Sequence, residues 1–277
     1  MIRQHIMLSV VSYTIALLLV AFIGFPLLWM LVSSLKPPPE LFSSPPQIWP
    51  RAPTLEWYRN VIAGSEAPIY FLNSLLVGAS TTLLCLSTAA LAAYGVTRFE
   101  FPGRSLFQLG VLSGYIFPAI VLFVPLYVII NALGLVDTIA GLVICHWVLT
   151  FPFALWMLRS FFEKIPREID EAAWVDGASF FRAFLQIFLP LALPGTFSVG
   201  VFVFVLSWNE FLFASILMTE GNSKTIPVGI AEFITSFDIR WGEIMAMGTL
   251  ATVPVVVMFT AVQRYFLRGV LSGAVKG

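Results

Sequence analysis

Charge is what this sequence has least of. Of its 277 residues only 11% are Asp, Glu, Lys or Arg, against 59% apolar, and the mean hydropathy is +0.93. Soluble domains carry about a quarter charged residues. A soluble core of this size cannot hide so much apolar surface, so the bulk of the chain faces lipid or other lipid-embedded helices. The fifteen basic residues are balanced by fifteen acidic ones. That argues against nucleic-acid binding, which needs a concentrated basic patch, and against an acidic disordered tail. The two cysteines, Cys85 and Cys145, both sit in apolar runs and make no disulfide framework. No G-x-x-x-x-G-K-[S/T] phosphate loop occurs; Ser223-Lys224-Thr225 lacks the preceding glycines. The chain is therefore not its own nucleotide engine. The histidines, His5 and His146, are far apart, so no metal cluster is expected. With no paired-carboxylate motif and no catalytic set, the chain reads as a non-enzyme.

What is there is a series of long charge-free stretches. They run between Arg3 and Lys36, Glu66 and Arg98, Arg104 and Asp137, Asp137 and Arg159, Arg182 and Glu210, and Glu243 and Arg264. A spanning helix needs about 20 mostly apolar residues, and each gap is long enough. The expectation is an all-α integral membrane protein: one transmembrane domain over 1–277, with six helices near 9–35, 70–97, 106–131, 138–162, 195–219 and 243–267. The first run exceeds the roughly 7–15 apolar residues of a secretory signal and no small-x-small site follows it, so a retained helix is expected rather than a cleaved leader. With the N-terminus inside, inside segments carry ten Lys or Arg and outside segments five (Lys36, Arg51, Arg59, Lys224 and Arg240). That bias favours an N-in, C-in topology. Residues 36–69 are Pro-rich and are expected to be extended rather than helical. No inverted internal repeat is visible.

The most informative segment is the inside loop 163–194. Pro166 suits a first helical position, and Glu168, Asp170 and Glu171 follow where the helix dipole favours acids. Ile169, Ala172 and Ala173 share a face. Gly177 ends this helix with a left-handed turn. Ser179 caps a second helix, whose apolar face is Phe180, Phe184, Ile187 and Phe188, and Pro190 and Pro194 are expected to break it before the fifth span. From the residues alone, this pair is either an interfacial helix pair lying on the membrane or a docking knob whose small alanines let a partner's groove approach closely.

Here a resemblance becomes specific. Glu171-Ala172-Ala173, Asp176-Gly177-Ala178, Phe184, Ile187 and Leu189-Pro190 resemble the EAA loop of ATP-binding-cassette importer permeases. Asn73-Ser74-Leu75, Ala92-Ala93-Tyr94, Trp208-Asn209-Glu210-Phe211, Thr225-Ile226-Pro227-Val228-Gly229 and the tail from Gln263-Arg264 to Gly277 resemble the carbohydrate branch, in its smaller maltose-type subunit. The likeness runs over essentially the whole chain. It implies a permease subunit of the bacterial-type inner membrane, importing a sugar or sugar derivative. Its partners would be a second permease, most simply a paralogue, two ATPase subunits holding ATP and Mg, and an external solute-binding protein. The chain itself would bind no cofactor. The resemblance also implies that the loop is a coupling helix seated in an ATPase cleft, and that the segment Gly221 to Gly229, with Gly221, Asn222 and Thr225, reaches toward the binding protein. From its residues alone that segment is a polar turn. The tail Gly269–Gly277 either enters the ATPase interface or is a frayed terminus.

Intramembrane ionisable residues are functional candidates by default. Glu210 falls about 22 Å along the fifth span at 1.5 Å per residue. With Trp208 and Asn209 it offers an aromatic face and polar groups suited to a sugar ring; the competing reading is structural, bonding a neighbouring helix or a broken turn. His146 in the fourth span and Asn73 at the outer end of the second carry the same two readings. Tyr115, Pro118 and Pro125 mark an expected kink in the third span. The alternative from a different class is an ion-coupled secondary carrier with Glu210 and His146 as a proton relay.

Overall fold

The computed structural model describes residues 2–235 and 238–274. Of the tail singled out above, residues 275–277 lie outside the described residues. Regular structure is helical; among the described residues one isolated antiparallel bridge, Ile234 with Ile239, is the exception. The chain divides into two compact units, residues 1–68 with 229–253, and residues 69–228 with 254–277.

The first unit begins with α1 (Ile2–Ser33). In the most apolar 18-residue window of its stretch Ser9–Ser33 no residue is buried, so it presents apolar side chains all round, as a lipid-facing helix does. The segment after it is not simply extended. It holds α2 (Pro38–Leu41), with a proline in its first turn where the missing N–H costs nothing, and α3 (Glu56–Ala63). Lys36 anchors the segment. It is 1% exposed; its ammonium donates to the Gln47 carbonyl at 2.7 Å and lies 4.1 Å from the Trp29 ring. The Trp57 indole donates to the Lys36 carbonyl at 2.7 Å. Trp57 and Tyr58 thus give α3 a packed face, which proline content alone does not reveal.

The second unit contains α4 (Ala67–Arg98) from residue 69 onward, α5 (Arg104–Ile116), α6 (Ala119–Ala132), α7 (Ile139–Phe162), α8 (Glu168–Val175), α9 (Phe180–Ala183), α10 (Leu189–Trp208) and α11 (Leu212–Leu217). Helix α7 packs against α5, α6, α10 and α11. One core cluster joins Ala89, Ala93 and Tyr94 of α4 to Leu158 and Phe162 of α7 and Val199 and Val203 of α10. A second joins Ile130, Leu142, Cys145, Phe213 and Leu217. In lipid, helices gain little from hiding apolar surface and associate where small residues allow close approach. Gly78 is such a place: a Cβ there would lie 2.8 Å from the Phe204 ring.

Among the described residues, five helices are long and apolar enough to cross a membrane: Ser9–Ser33, Ala67–Arg98, Ile139–Phe162, Phe180–Trp208 and Trp241–Ala261, the last within α12 (Trp241–Ala274). The expected third span, 106–131, is instead two helices, α5 and α6, bent by 104°. Pro118 lacks a donor and pushes the residue before it out of the helical region; Phe117 sits at φ −70°, ψ 131°. The helix also runs unbroken from Phe180 to Trp208, correcting the expected break at Pro190 and Pro194. A π turn over Phe184–Phe188 widens the helix just where Pro190 cannot donate, and such turns absorb a missing bond without ending the helix. The expected fifth span, 195–219, then stops early. The helix ends at Trp208, and α11 follows after a break at 209–211.

Candidate functional site

Helix α8 closes on Gly177, whose φ is +86°. The Ala178 N–H donates to the Ala173 carbonyl and the Gly177 N–H to the Trp174 carbonyl, both at 3.0 Å. These two bonds are the Schellman closure, which needs a left-handed residue at this place. Ser179 then caps α9, accepting from the Arg182 N–H at 3.3 Å. Pro166 lies before the helix rather than on its first turn. The faces sort cleanly. Asp170 and Ala173 are buried, while Glu171, Ala172, Asp176 and Gly177 are exposed and Val175 is 88% exposed. The buried face and Trp174 sit on an aromatic block. Trp174 stacks on Phe99 at 6.1 Å and meets Phe180 at 5.0 Å, and Tyr94 contacts Phe184 at 4.9 Å and Phe188 at 4.8 Å. Phe184 is buried and Ile187 half-buried; Phe180 is exposed despite its ring contacts. Pro190 is exposed in the continuous helix.

Asp170 is more than the dipole-favoured acid that its place in the first turn of α8 suggests. Its Oδ2 lies 2.7 Å from Arg98 Nε, with the two side chains 2% and 3% exposed, and Tyr94 donates to its Oδ1 at 3.0 Å. The Arg98 N–H is not aligned for a hydrogen bond to that oxygen, so charge holds the pair.

A polar cluster surrounds the break after α10. His146 is 1% exposed; its Nδ1 lies 2.7 Å from Ser207 Oγ and its Nε2 3.0 Å from Glu210 Oε2. A hydrogen on Nε2 facing the carboxylate and a Ser207 hydroxyl donating to Nδ1 satisfy both contacts. Glu210 also accepts from the Phe213 N–H at 2.9 Å and the Ala214 N–H at 3.1 Å. It thereby serves the otherwise orphaned donors of the first turn of α11. Trp208 is not an open aromatic face: it is 4% exposed, stacked on Phe204 at 5.4 Å and edge-on to Phe71 at 6.4 Å. Asn209 is exposed and donates to the Val205 carbonyl at 2.8 Å. Tyr115, 58% exposed on α5, makes no hydrogen bond or ring contact with this cluster among the described residues. Asn73 donates to the carbonyls of Asn222 and Lys224, both at 2.9 Å, and the neighbouring Ser74 accepts from the Ile226 N–H at 2.8 Å. The start of α4 thus holds the turn 222–226. Within it Asn222 is exposed, Gly221 half-buried and Thr225 buried, so Thr225 offers no side chain to an outside partner here.

The same turn is held from another side by Asp137, the lone charge between Arg104 and Arg159. Its carboxylate accepts from Thr219 N and Oγ1 at 2.6 and 2.8 Å, Glu220 N at 3.0 Å and Ser223 Oγ at 3.1 Å. Burial opposes its charge, but the donors from Glu220, Thr219 and Ser223 outweigh it and hold the carboxyl below the ordinary carboxylate range. A depressed folded-state value means that this stabilisation is complete above the unfolded value of about 4 and is lost as pH falls through the folded one. Asp137→Ala is therefore expected to cost about 2 kcal/mol at neutral pH, given that hydrogen bonds to charged groups each contribute roughly 1.5–3 kcal/mol at best and less when exposed. The melting difference from the unmutated chain should shrink as pH falls below about 4; a difference independent of pH between 3 and 7 would contradict this role for the carboxylate.

Residues 86–272 match the family described as "Binding-protein-dependent transport system inner membrane component". The trehalose/maltose transport system permease protein MalG of Thermococcus litoralis is 37% identical over 278 residues, covering 99% of each chain. The trehalose transport system permease protein SugB of Mycobacterium tuberculosis is 36% identical over 262 residues, 94% of this chain and 95% of that one. Among solved structures, a bacterial ABC transporter involved in import of the acidic polysaccharide alginate superposes with a TM-score of 0.82 at 18% identity, over 95% of this chain and 98% of that one.

Proposed function

This chain belongs to the binding-protein-dependent transport system inner membrane component family, and on that premise we propose how it works as a sugar-importing permease. It is the transmembrane subunit of an ATP-binding-cassette importer. It does not hydrolyse ATP; separate ATPase subunits do so. Sugars or sugar derivatives are the solute class that its relatives' trehalose and maltose systems support. ATP and Mg act on two partner ATPases, a second permease completes the membrane path, and an external solute-binding protein delivers the solute.

The topology we propose has six crossings, counting α5 with α6 as one broken span, in a single functional domain of a bacterial-type inner membrane with both ends on the cytoplasmic side. The ten-to-five Lys and Arg asymmetry supports it. The observation that carries the coupling role is the α8 knob. An exposed ridge of Glu171, Ala172, Asp176 and Gly177 is backed by buried Ala173 and turned by a left-handed glycine. Glu171 meets the ATPase cleft, Ala172 permits close approach, and Ala173, Ala178, Phe184, Ile187 and Pro190 seat the knob on the helices behind it. Closure of the ATPases on ATP pushes this knob and biases the helices toward the outward-open state, and hydrolysis resets it. For the solute path we propose the region of Asn73, Tyr115, His146, Trp208, Asn209 and Glu210, with Asn209 and Tyr115 presenting exposed polar atoms and His146 and Glu210 holding the break. Gly221 and Asn222, over buried Thr225, mark the turn that faces the binding protein.

Extraction of the chain from its native membrane in mild detergent, with co-purifying chains identified by mass, tests this. A Walker-motif ATPase and a second permease are the expected companions. Recovery of this chain alone, moving solute in vesicles without ATP and stopped by a protonophore, would transfer the assignment to an ion-coupled carrier.

A further inference from the structure

We propose that Arg98 and Asp170 are positioning residues that fasten the coupling knob to the end of α4, so that α8 and α4 move as one body during transport. This rests on the reading of α8 as the ATPase-coupling element. Arg98 and Asp170 lie on segments far apart in sequence, yet their side chains meet at 2.7 Å and are almost wholly buried. The contact is braced on every side. Tyr94, one turn earlier on α4, donates to the other Asp170 oxygen at 3.0 Å. Arg98 Nη2 donates to the Ile165 carbonyl at 2.8 Å, and Arg167 Nη2 returns a bond to the Thr97 carbonyl at 3.1 Å. The Arg98 guanidinium also lies 4.8 Å from the Phe188 ring in the π turn.

A buried ion pair is a poor device for stability, because desolvating two charges costs about what their attraction returns. It is a good device for fixing one geometry, since a buried charge that slides away from its partner is left uncompensated. Here it fixes the one face of α8 that the exposed ridge leaves over. Neighbouring Asp170 and Glu171 lie on different faces of α8, Asp170 buried against α4 and Glu171 exposed. A push received on the Glu171 side is thus passed to Arg98. Helix α4 is 32 residues long, about 48 Å at 1.5 Å per residue, and near its other end Asn73 and Ser74 grip the turn 222–226. The pair is therefore the first link of a continuous rod from the knob to that turn.

The test measures relative motion in the assembled importer, with its partner permease and ATPases, in lipid nanodiscs. Cys85 and Cys145 are replaced by Ala, and spin labels are placed at Glu168→Cys on α8 and Leu91→Cys on α4, both exposed positions. Distances are compared between the nucleotide-free and ATP-vanadate-trapped states. With Arg98 and Asp170 present, the inter-label distance is expected to hold within about 2 Å, the scale of a small helix shift. In the charge-free double variant Arg98→Met/Asp170→Leu, which leaves no buried charge unpaired, the trapped state is expected to shift or broaden beyond that. The swap Arg98→Asp/Asp170→Arg is expected to restore the narrow distribution. A distance that changes by more than about 2 Å with the pair intact overturns the proposal and needs no variant to fold. So does a double variant that keeps the narrow distribution. Absence of any bound ATPase on the unmutated chain would instead remove the coupling reading, and the linkage with it.

Discussion

Glu210→Ala is expected to yield a chain that inserts but assembles poorly and melts early. Three bonds go at once: to His146 at 3.0 Å, to the Phe213 N–H at 2.9 Å and to the Ala214 N–H at 3.1 Å. The two amides open α11 inside a stretch read as membrane-embedded, where no bulk water replaces the lost acceptor. Leaving a buried donor without its acceptor costs roughly 1–3 kcal/mol, so three such losses, partly relieved by local relaxation, come to about 3–5 kcal/mol. For a chain of this length that corresponds to an apparent melting temperature lower by roughly 6–20 °C. Glu210→Gln keeps one acceptor for the α11 amides and is expected to lose less than half as much. His146→Ala spares both amide bonds and should also lose less. This ordering separates a residue that builds the break from one that binds solute. If Glu210→Ala keeps its stability and only the solute affinity falls, Glu210 is a ligand and the break is held by something else.

The residues that can be read from sequence are those whose chemistry is local. Gly177 announces a left-handed turn and Ser179 a cap, and the structure has both, with φ +86° at Gly177 and the Arg182 N–H on Ser179. The charge-free runs likewise mark the long helices. What was not legible depends on partners far along the chain. Asp170 looks like any acid in a first turn until Arg98 and Tyr94 are brought to it. Asp137 gave a signal, as the lone charge between two spans, but nothing in its neighbours points to Thr219, Glu220 and Ser223. Trp208 beside Asn209 and Glu210 suggests an open aromatic face; only the packing of Phe204 and Phe71 shows the ring to be covered. Proline misleads in both directions. Pro118, one of the residues that mark a kink in the third span, makes a 104° bend, and Pro190 breaks nothing, because the π turn before it takes up the missing bond.

The second large effect concerns the knob itself. Gly177→Val places a β-branched side chain at a backbone conformation that costs an ordinary residue about 1–2 kcal/mol, and more for a branched one, which scarcely populates it. No atom lies within 4 Å of where a Cβ would stand, so the penalty is conformational rather than a clash, and the surrounding helices are not disturbed directly. The turn relieves the strain by giving up the bonds from Ala178 to Ala173 and from Gly177 to Trp174, which changes the angle between α8 and α9 and misplaces the Glu171 ridge. The long helices do not depend on this turn, so the variant is expected to insert and to pair with its partner permease.

ATP-driven uptake by proteoliposomes containing the reassembled importer and its binding protein, with and without Gly177→Val, measured with whichever sugar of a panel that binding protein retains, is the most direct measurement of the central claim. Uptake by the unmutated assembly is expected to require ATP and survive a protonophore, and the variant to lose at least tenfold together with weaker retention of the ATPase, the tenfold corresponding to about 1.4 kcal/mol of lost coupling. Uptake in the variant equal to that of the unmutated chain, with the ATPase fully retained, would contradict it.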